Sequence, residues 1–190
     1  MSLASNTRFL SAWLNNPLQT GALLPSGQAL ARALAAQVDP AAAGVVELGA
    51  GTGAVTAALL ERGVAPGRLL LVERSPLLHA EIQRRFVGLR VVLGDAARLR
   101  RLLQQAGVGP PAAVVSSLPL LSMPTRQRLR VLSEIAAALP PGGTLVQFTY
   151  GPRPPLAPAV ALGLRLAGAR VARVLANVPP AAVWVYRKAG

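Results

Sequence analysis

The stretch "ELGAGTGA", Glu47–Ala54, decides the fold. Before it runs the short apolar segment "GVVEL" (44–48), which reads as a buried strand. After it comes "AVTAALLERG" (54–63), with the spacing of a helix and a glycine to stop it. Strand, glycine-rich turn and helix in that order form the opening unit of an α/β sheet. Gly49, Gly51 and Ala54 fit the G-x-G-x-x-G/A pattern of a nucleotide-binding turn. Glycines there let the backbone turn tightly and let a ligand approach it closely. A merely tight turn would use them too, so the pattern alone names no ligand.

Outward from this turn, short apolar runs alternate with helical patterns, which predicts βαβ units and a parallel sheet. The predicted strands are 44–48, 68–73, 89–95, 112–117 and 144–150, and the predicted helices 54–63, 76–86, 96–107 and 125–143, the last ended by Pro-Pro-Gly-Gly. Residues 169–188 read as two more strands joined by a turn around Pro179 and Pro180. Ahead of the sheet lie an amphipathic helix over 2–17, a loop "LQTGALLPSG" and a second helix over 28–38. The chain divides accordingly into N-terminal helices and loop (1–38) and a sheet domain (39–190).

The chain has 190 residues, enough for one domain with a sizeable core. It has no cysteine and one histidine, so disulfides are excluded and no metal site is expected. His79 falls beside the Leu78–Ile82 stripe of its helix and reads as an ordinary helix residue. No apolar run reaches the roughly 18–20 residues that span a bilayer, and "MSLASNTRFLSAW" lacks the apolar segment of a secretory signal. A cytoplasmic protein is the expectation. The 20 bases, 19 of them arginine, against 7 acids give a formal charge of +13. Such a surface seeks a polyanion, either nucleic acid or an anionic membrane.

With seven acids in the chain, the place of each is informative. Glu47, Glu73 and Asp95 close the first, second and third strands, so all three share one edge of the sheet. Glu73 follows Glu47 by 26 residues, near the interval of an acid that grips a ribose diol. Asp95, with Ala96, is placed to read an adenine amino group. Glu47 lies beneath the turn, where it would favour a cationic ammonium. A pyrophosphate would be repelled there, and no G-K-[ST] follows to make a P-loop. The ligand that suits this edge is S-adenosylmethionine. Glu61, Glu81 and Glu134 sit inside helices and are expected to be solvated.

The fourth strand ends in "VVSSLPLLSM" (114–123), with no acid, base or amide at its turn. "ELGAGTG", Glu73, Asp95 and the closing hairpin resemble class I S-adenosylmethionine-dependent methyltransferases over residues 44–188. That resemblance implies a Rossmann-like, mostly parallel seven-stranded sheet with one reversed strand. "PLQTGALLPSG", "VVSSLPLL", "VQFTYG" and "VWVYR" resemble the bacterial phospholipid N-methyltransferases across nearly the whole chain. These convert phosphatidylethanolamine to its methylated derivatives and phosphatidylcholine, so a phospholipid substrate and an anionic membrane surface are the implied partners, with the protein peripheral on the inner face of the plasma membrane.

The candidate cofactor residues are Thr20, Gly21, Glu47, Gly49, Gly51, Gly53, Glu73, Arg74, Asp95, Ala96 and Ser116. The candidate catalytic residues are Ser117, Leu118 and Tyr150, with a backbone carbonyl of "SSLPLL" orienting the amine. Tyr150 is the best polar group near the acceptor, or else a wall residue packing the pocket. Arg153 and, less directly, Arg187 are candidates for the lipid phosphate. Leu3, Arg8, Phe9, Leu10, Trp13 and Leu14 are the candidate membrane contacts.

The alternative is an rRNA adenine N6-methyltransferase. That family has Asn-x-Pro-Tyr/Phe after strand four, whose aromatic stacks on a flipped base. Here Ser117, Leu118, Pro119 and Leu120 stand at those positions, and the chain ends at Gly190 without room for that family's C-terminal domain. No nucleic-acid partner is therefore expected. A membrane-associated protein that keeps the cofactor fold without turnover is the third possibility.

Overall fold

The computed structural model describes residues 25–177 and 179–190. The predicted helix bearing Leu3, Arg8, Phe9, Leu10, Trp13 and Leu14, and the candidates Thr20 and Gly21, lie outside the described residues.

Helix α1 spans Pro25–Ala35. It begins three residues before the predicted 28, because proline suits the first turn of a helix. Then follow β1 (Val45–Leu48), α2 (Ala54–Glu61), β2 (Leu69–Glu73), α3 (Pro76–Arg85) and β3 (Arg90–Leu93). The predicted helix 96–107 is a 3-10 turn at Ala96–Arg98 followed by α4 (Leu99–Gln105). Next come β4 (Ala113–Ser116), α5 (Thr125–Ala138) and β5 (Thr144–Tyr150). α5 stops before Pro140 because the residue preceding a proline is pushed out of the helical region, and Leu139 is extended (φ −72°, ψ 131°). A short helix the sequence reading lacks, α6, covers Pro158–Gly163. It leads through Arg165, at φ 56°, into β6 (Leu166–Val174), which pairs with β7 (Ala181–Lys188).

The seven strands lie in the order β3-β2-β1-β4-β5-β7-β6. The first five are parallel, and β7 runs antiparallel to both of its neighbours. This is the mostly parallel sheet with one reversed strand expected of the fold. β6 forms one margin, nine residues long, with its register broken between Arg170 and Ala172.

Alternation along each strand sorts the core into two layers. Val46, Leu48, Leu70, Val72 and Val114 face α4 and α5. Val45, Leu69, Leu71, Ala113 and Val115 face the other way, toward Leu30 and Leu34 of α1 and Leu59 of α2. By the same alternation Glu47 and Glu73 belong to this second face, at positions where an aliphatic residue would otherwise complete the core. On the first face, Glu134 of α5 is not solvated as expected. It takes the Arg100 backbone N–H at 3.0 Å and the Arg100 guanidinium at 2.8 Å, because the start of α4 packs beside α5.

Candidate active site

A cavity of about 540 Å³ opens at the carboxyl edge of the parallel strands. That volume is ordinary for a small-ligand site, and the place is where open α/β sheets bind ligands. Of the sequence candidates, Gly49, Gly51, Glu73, Arg74, Asp95, Ala96, Ser117, Leu118 and Tyr150 line it. Gly27, Leu30, Ala31 and Leu34 of α1 close part of it from above.

The turn after β1 owes its shape to Gly49, Gly51 and Gly53, at φ 74°, 58° and 83°. Gly53 is the most constrained. A Cβ there would lie 2.3 Å from Cε2 of Phe86, which packs against the turn. Gly53 thus supports the turn from below and does not line the cavity. Gly53→Ala is expected to cost about 1–3 kcal/mol in strain and displacement of Phe86. Chemical denaturation, together with a weakened cofactor affinity, checks this; an unchanged midpoint would show that the turn has slack.

Glu73 is buried and holds the turn by its carboxylate. Its Oε2 accepts the Gly51 N–H at 3.0 Å and its Oε1 accepts the Ser75 N–H at 2.8 Å. Each oxygen keeps a further lone pair for the cavity, which fits a ribose diol. Asp95 is partly committed too, since Oδ1 accepts the Ala97 N–H at 2.9 Å and caps the following turn.

Glu47 is fully buried beneath the turn and does not line the cavity. Its Oε2 accepts the Thr56 hydroxyl at 2.7 Å, while Oε1 has no partner. Burial, eased by the Thr56 hydrogen bond and worsened by the Glu73 charge, pushes its pKa from 4.5 to about 8. At neutral pH Glu47 is therefore mostly an uncharged acid, and the cation-stabilising role read from the sequence needs it to lose a proton first. Ser116 is likewise buried off the cavity, its hydroxyl turned to the Leu118 N–H.

The acceptor end differs from expectation at three places. A backbone carbonyl of "SSLPLL" is expected to orient an amine, and among these the Leu118 carbonyl accepts both Gln147 Nε2 and the Leu120 N–H at 2.9 Å. Both lone pairs are used, so it has none for a substrate. Ser117 also lines this turn, with a buried hydroxyl that has no partner. Arg187 stands opposite Thr144, at the start of β5, and bonds the Gly142 carbonyl. Six residues at about 3.3 Å each put it roughly 20 Å from the Tyr150 end, too far to hold a headgroup. Arg153 follows β5 on the correct edge but is exposed and outside the cavity lining.

Residues missed in the sequence complete the wall: Met123, Gln127, Phe148 and Asn177. Phe148 and Tyr150 meet edge to face, with centroids 5.2 Å apart. Burial raises the Tyr150 phenol above its ordinary pKa, partly offset by a side-chain hydrogen bond with Asn177. The phenol is protonated at neutral pH and can serve as a hydrogen-bonding group, not as a base. No group of three or more acids and histidines among the described residues could hold a metal, and no described helix is long and apolar enough to cross a membrane.

Comparison with known proteins agrees with this geometry. Residues 45–143, from β1 to the glycines before β5, match the family described as the methyltransferase domain. An ornithine lipid N-methyltransferase of Singulisphaera acidiphila is 32% identical over 148 residues, covering 76% of this chain and 77% of that protein. Among solved structures, the 1,6-didemethyltoxoflavin N1-methyltransferase of Burkholderia thailandensis superposes with a TM-score of 0.70 at 18% identity, over 98% of this chain and 88% of that one. The N-methyltransferase NodS of Bradyrhizobium japonicum, in complex with S-adenosylhomocysteine, gives 0.61 at 19% identity, over 96% and 98%. The last two share the fold. The family match covers β1 to β4 with the turn and its acids, so this chain belongs to the class I S-adenosylmethionine-dependent methyltransferases.

Proposed function

We propose that the chain methylates the amine of a membrane lipid, with phosphatidylethanolamine and its mono- and dimethyl derivatives as acceptors and phosphatidylcholine as product. The observation that carries this reading is the acceptor wall. Leu118, Pro119, Met123, Pro124, Phe148 and Tyr150 give it apolar and aromatic surface, and the described lining there holds no acid and no cation. An alkylamine is mostly protonated in neutral water. A dry wall favours the neutral amine, whose lone pair can attack. As methyl groups accumulate, the faces of Phe148 and Tyr150 suit the growing cation.

Glu73, Asp95 and the turn at Gly49–Gly53 would hold S-adenosylmethionine. When bound, it would supply a methyl on a sulfonium leaving group, so that a nitrogen–carbon bond replaces a sulfur–carbon bond; the nitrogen sheds a proton to water after the first and second transfers and keeps its positive charge after the third. The protein's share is alignment and exclusion of water. The relative from Singulisphaera supports a second acceptor, ornithine lipid, which also presents an amine at a membrane surface. An RNA substrate is not favoured.

We place the protein in the cytoplasm, peripheral on the inner face of the plasma membrane. The segment 1–38 would serve as membrane contact and cover, and 39–190 as catalytic domain; the charge of +13 supports attraction to an anionic leaflet. Within the first segment, Leu30 and Leu34 of α1 share the core with the sheet and line the cavity. The test is incubation with labelled S-adenosylmethionine and three acceptors: vesicles with phosphatidylethanolamine, vesicles with ornithine lipid, and total RNA. Label in the first is expected; label in RNA alone would end the lipid reading. Binding to anionic vesicles, release by salt, and loss of both on deleting residues 2–16 are the accompanying expectations in co-sedimentation. A truncated protein that pellets as well as the intact one would remove that segment from the membrane role.

A further inference from the structure

The turn after β4 offers an amine little to bond. Its Leu118 carbonyl is saturated, and the nearby Gln147 amide gives its Nε2 to the Leu118 and Phe148 carbonyls at 2.9 and 3.0 Å, while its Oε1 is buried without a partner and off the cavity lining. A neutral primary amine brings two N–H donors into the site, and each needs an acceptor once water is excluded. Ser117 can supply one. Ser122, Gln127 and Asn177 are other lining residues whose side chains carry an acceptor oxygen on this side, and of these Asn177 is buried.

β5 and β6 both end opposite Ala181, at Tyr150 and at Val174. The β6–β7 connection therefore emerges at the same edge as the cavity, and Asn177 of that connection lines it. Asn177 is 4% exposed, on a connection whose neighbour Leu175 is 70% exposed. An amide buried on an otherwise open turn carries a desolvation cost unless it is bonded. Its Nδ2 donates to the Pro179 carbonyl at 2.6 Å, and Tyr150 lines the same cavity. Holding the nitrogen fixes the direction of the carbonyl on the other side of the amide.

We propose that Asn177 is a substrate-binding residue: its side-chain carbonyl accepts an N–H of the acceptor amine, and the Nδ2 bond to the Pro179 carbonyl sets how that carbonyl is held. The amide absent from the β4 turn is supplied from across the cavity. This rests on the proposed methylation of an amine, but not on that amine being lipid-borne.

Asn177→Leu keeps the size and removes the amide. It is expected to lower kcat/KM for the amine about 10–100-fold, the worth of a buried hydrogen bond, and to leave the Kd for S-adenosylhomocysteine within about twofold. Asn177→Asp keeps an acceptor but adds a negative charge, which favours the protonated amine; its kcat/KM profile should move to higher pH. A role in packing alone would not move that profile. A second readout needs no turnover. Calorimetry with S-adenosylhomocysteine-saturated protein should show dihexanoyl phosphatidylethanolamine binding more tightly than dihexanoyl phosphatidylcholine, and Asn177→Leu should erase the difference.

Activity is read in parallel on phosphatidylethanolamine vesicles and on soluble ethanolamine. Label entering ethanolamine and not lipid would end the lipid reading, and the variants would then be compared on ethanolamine. Asn177→Leu with kcat/KM within about threefold of wild type on the labelled amine, or with the phosphatidylethanolamine preference intact, would overturn the role of Asn177. A wild type that labels neither amine would overturn both.

Discussion

Glutamine in place of Glu47 is expected to leave the protein more stable than the wild type at pH 8 and no more stable at pH 4. The carboxyl is uncharged in the folded state up to about pH 8, whereas in the unfolded chain it ionises near 4.5. Between those values the folded state holds the extra proton, so wild-type stability falls as pH rises through the window. Below pH 4.5 both states are protonated and there is no penalty; above pH 8 the full penalty stays. At 1.36 kcal/mol per pKa unit, the total is on the order of 5 kcal/mol. The substituted amide has no such proton to lose, and its oxygen can still accept the Thr56 hydroxyl. Urea unfolding of both proteins from pH 4 to pH 8.5 measures this. Stability curves that run parallel throughout would show that Glu47 is already ionised in the folded protein.

The same substitution at Glu73 should have the opposite outcome. Both Glu73 oxygens accept a backbone N–H, from Gly51 and from Ser75. A glutamine there must turn its NH2 toward one of two donors, and the turn would lose its anchor. Glu73→Gln and Glu73→Ala are both expected to weaken S-adenosylmethionine binding at least about 10–100-fold, the worth of hydrogen bonds to a charged group. Calorimetry on folded variants checks it. Unchanged affinity would take Glu73 out of both roles, anchor of the turn and grip on the ribose. Two acids of one residue type on one face of the sheet are thus separated by the number of partners each carboxylate has.

The sheet was readable because its strands are short apolar runs and its turns carry glycine and proline. Glu73 and Asp95 were readable because acids at strand ends follow directly from the strand assignment. What hydrogen bonds consume was not. That the Leu118 carbonyl is spent depends on the register that sets Gln147 beside Ser116, and no local pattern prints a register. Arg187 was misplaced because β7 is reversed, so its last residues return to the far edge. Asn177 is a lone polar residue before two prolines, which reads as a turn former and nothing more. α6 has six residues, too few for a helical period to declare itself.

The margin of the sheet at β6 has a consequence for how the protein survives at high concentration. Nine residues of strand with one side unpaired among the described residues are a template on which another chain's strand could add. The broken register between Arg170 and Ala172 bends that template, and Arg170 and Arg173 stand exposed along it. A second copy approaching edge to edge would bring like charges together against a crooked partner. The arginines of this strand thereby guard against aggregation, whatever else their charge attracts.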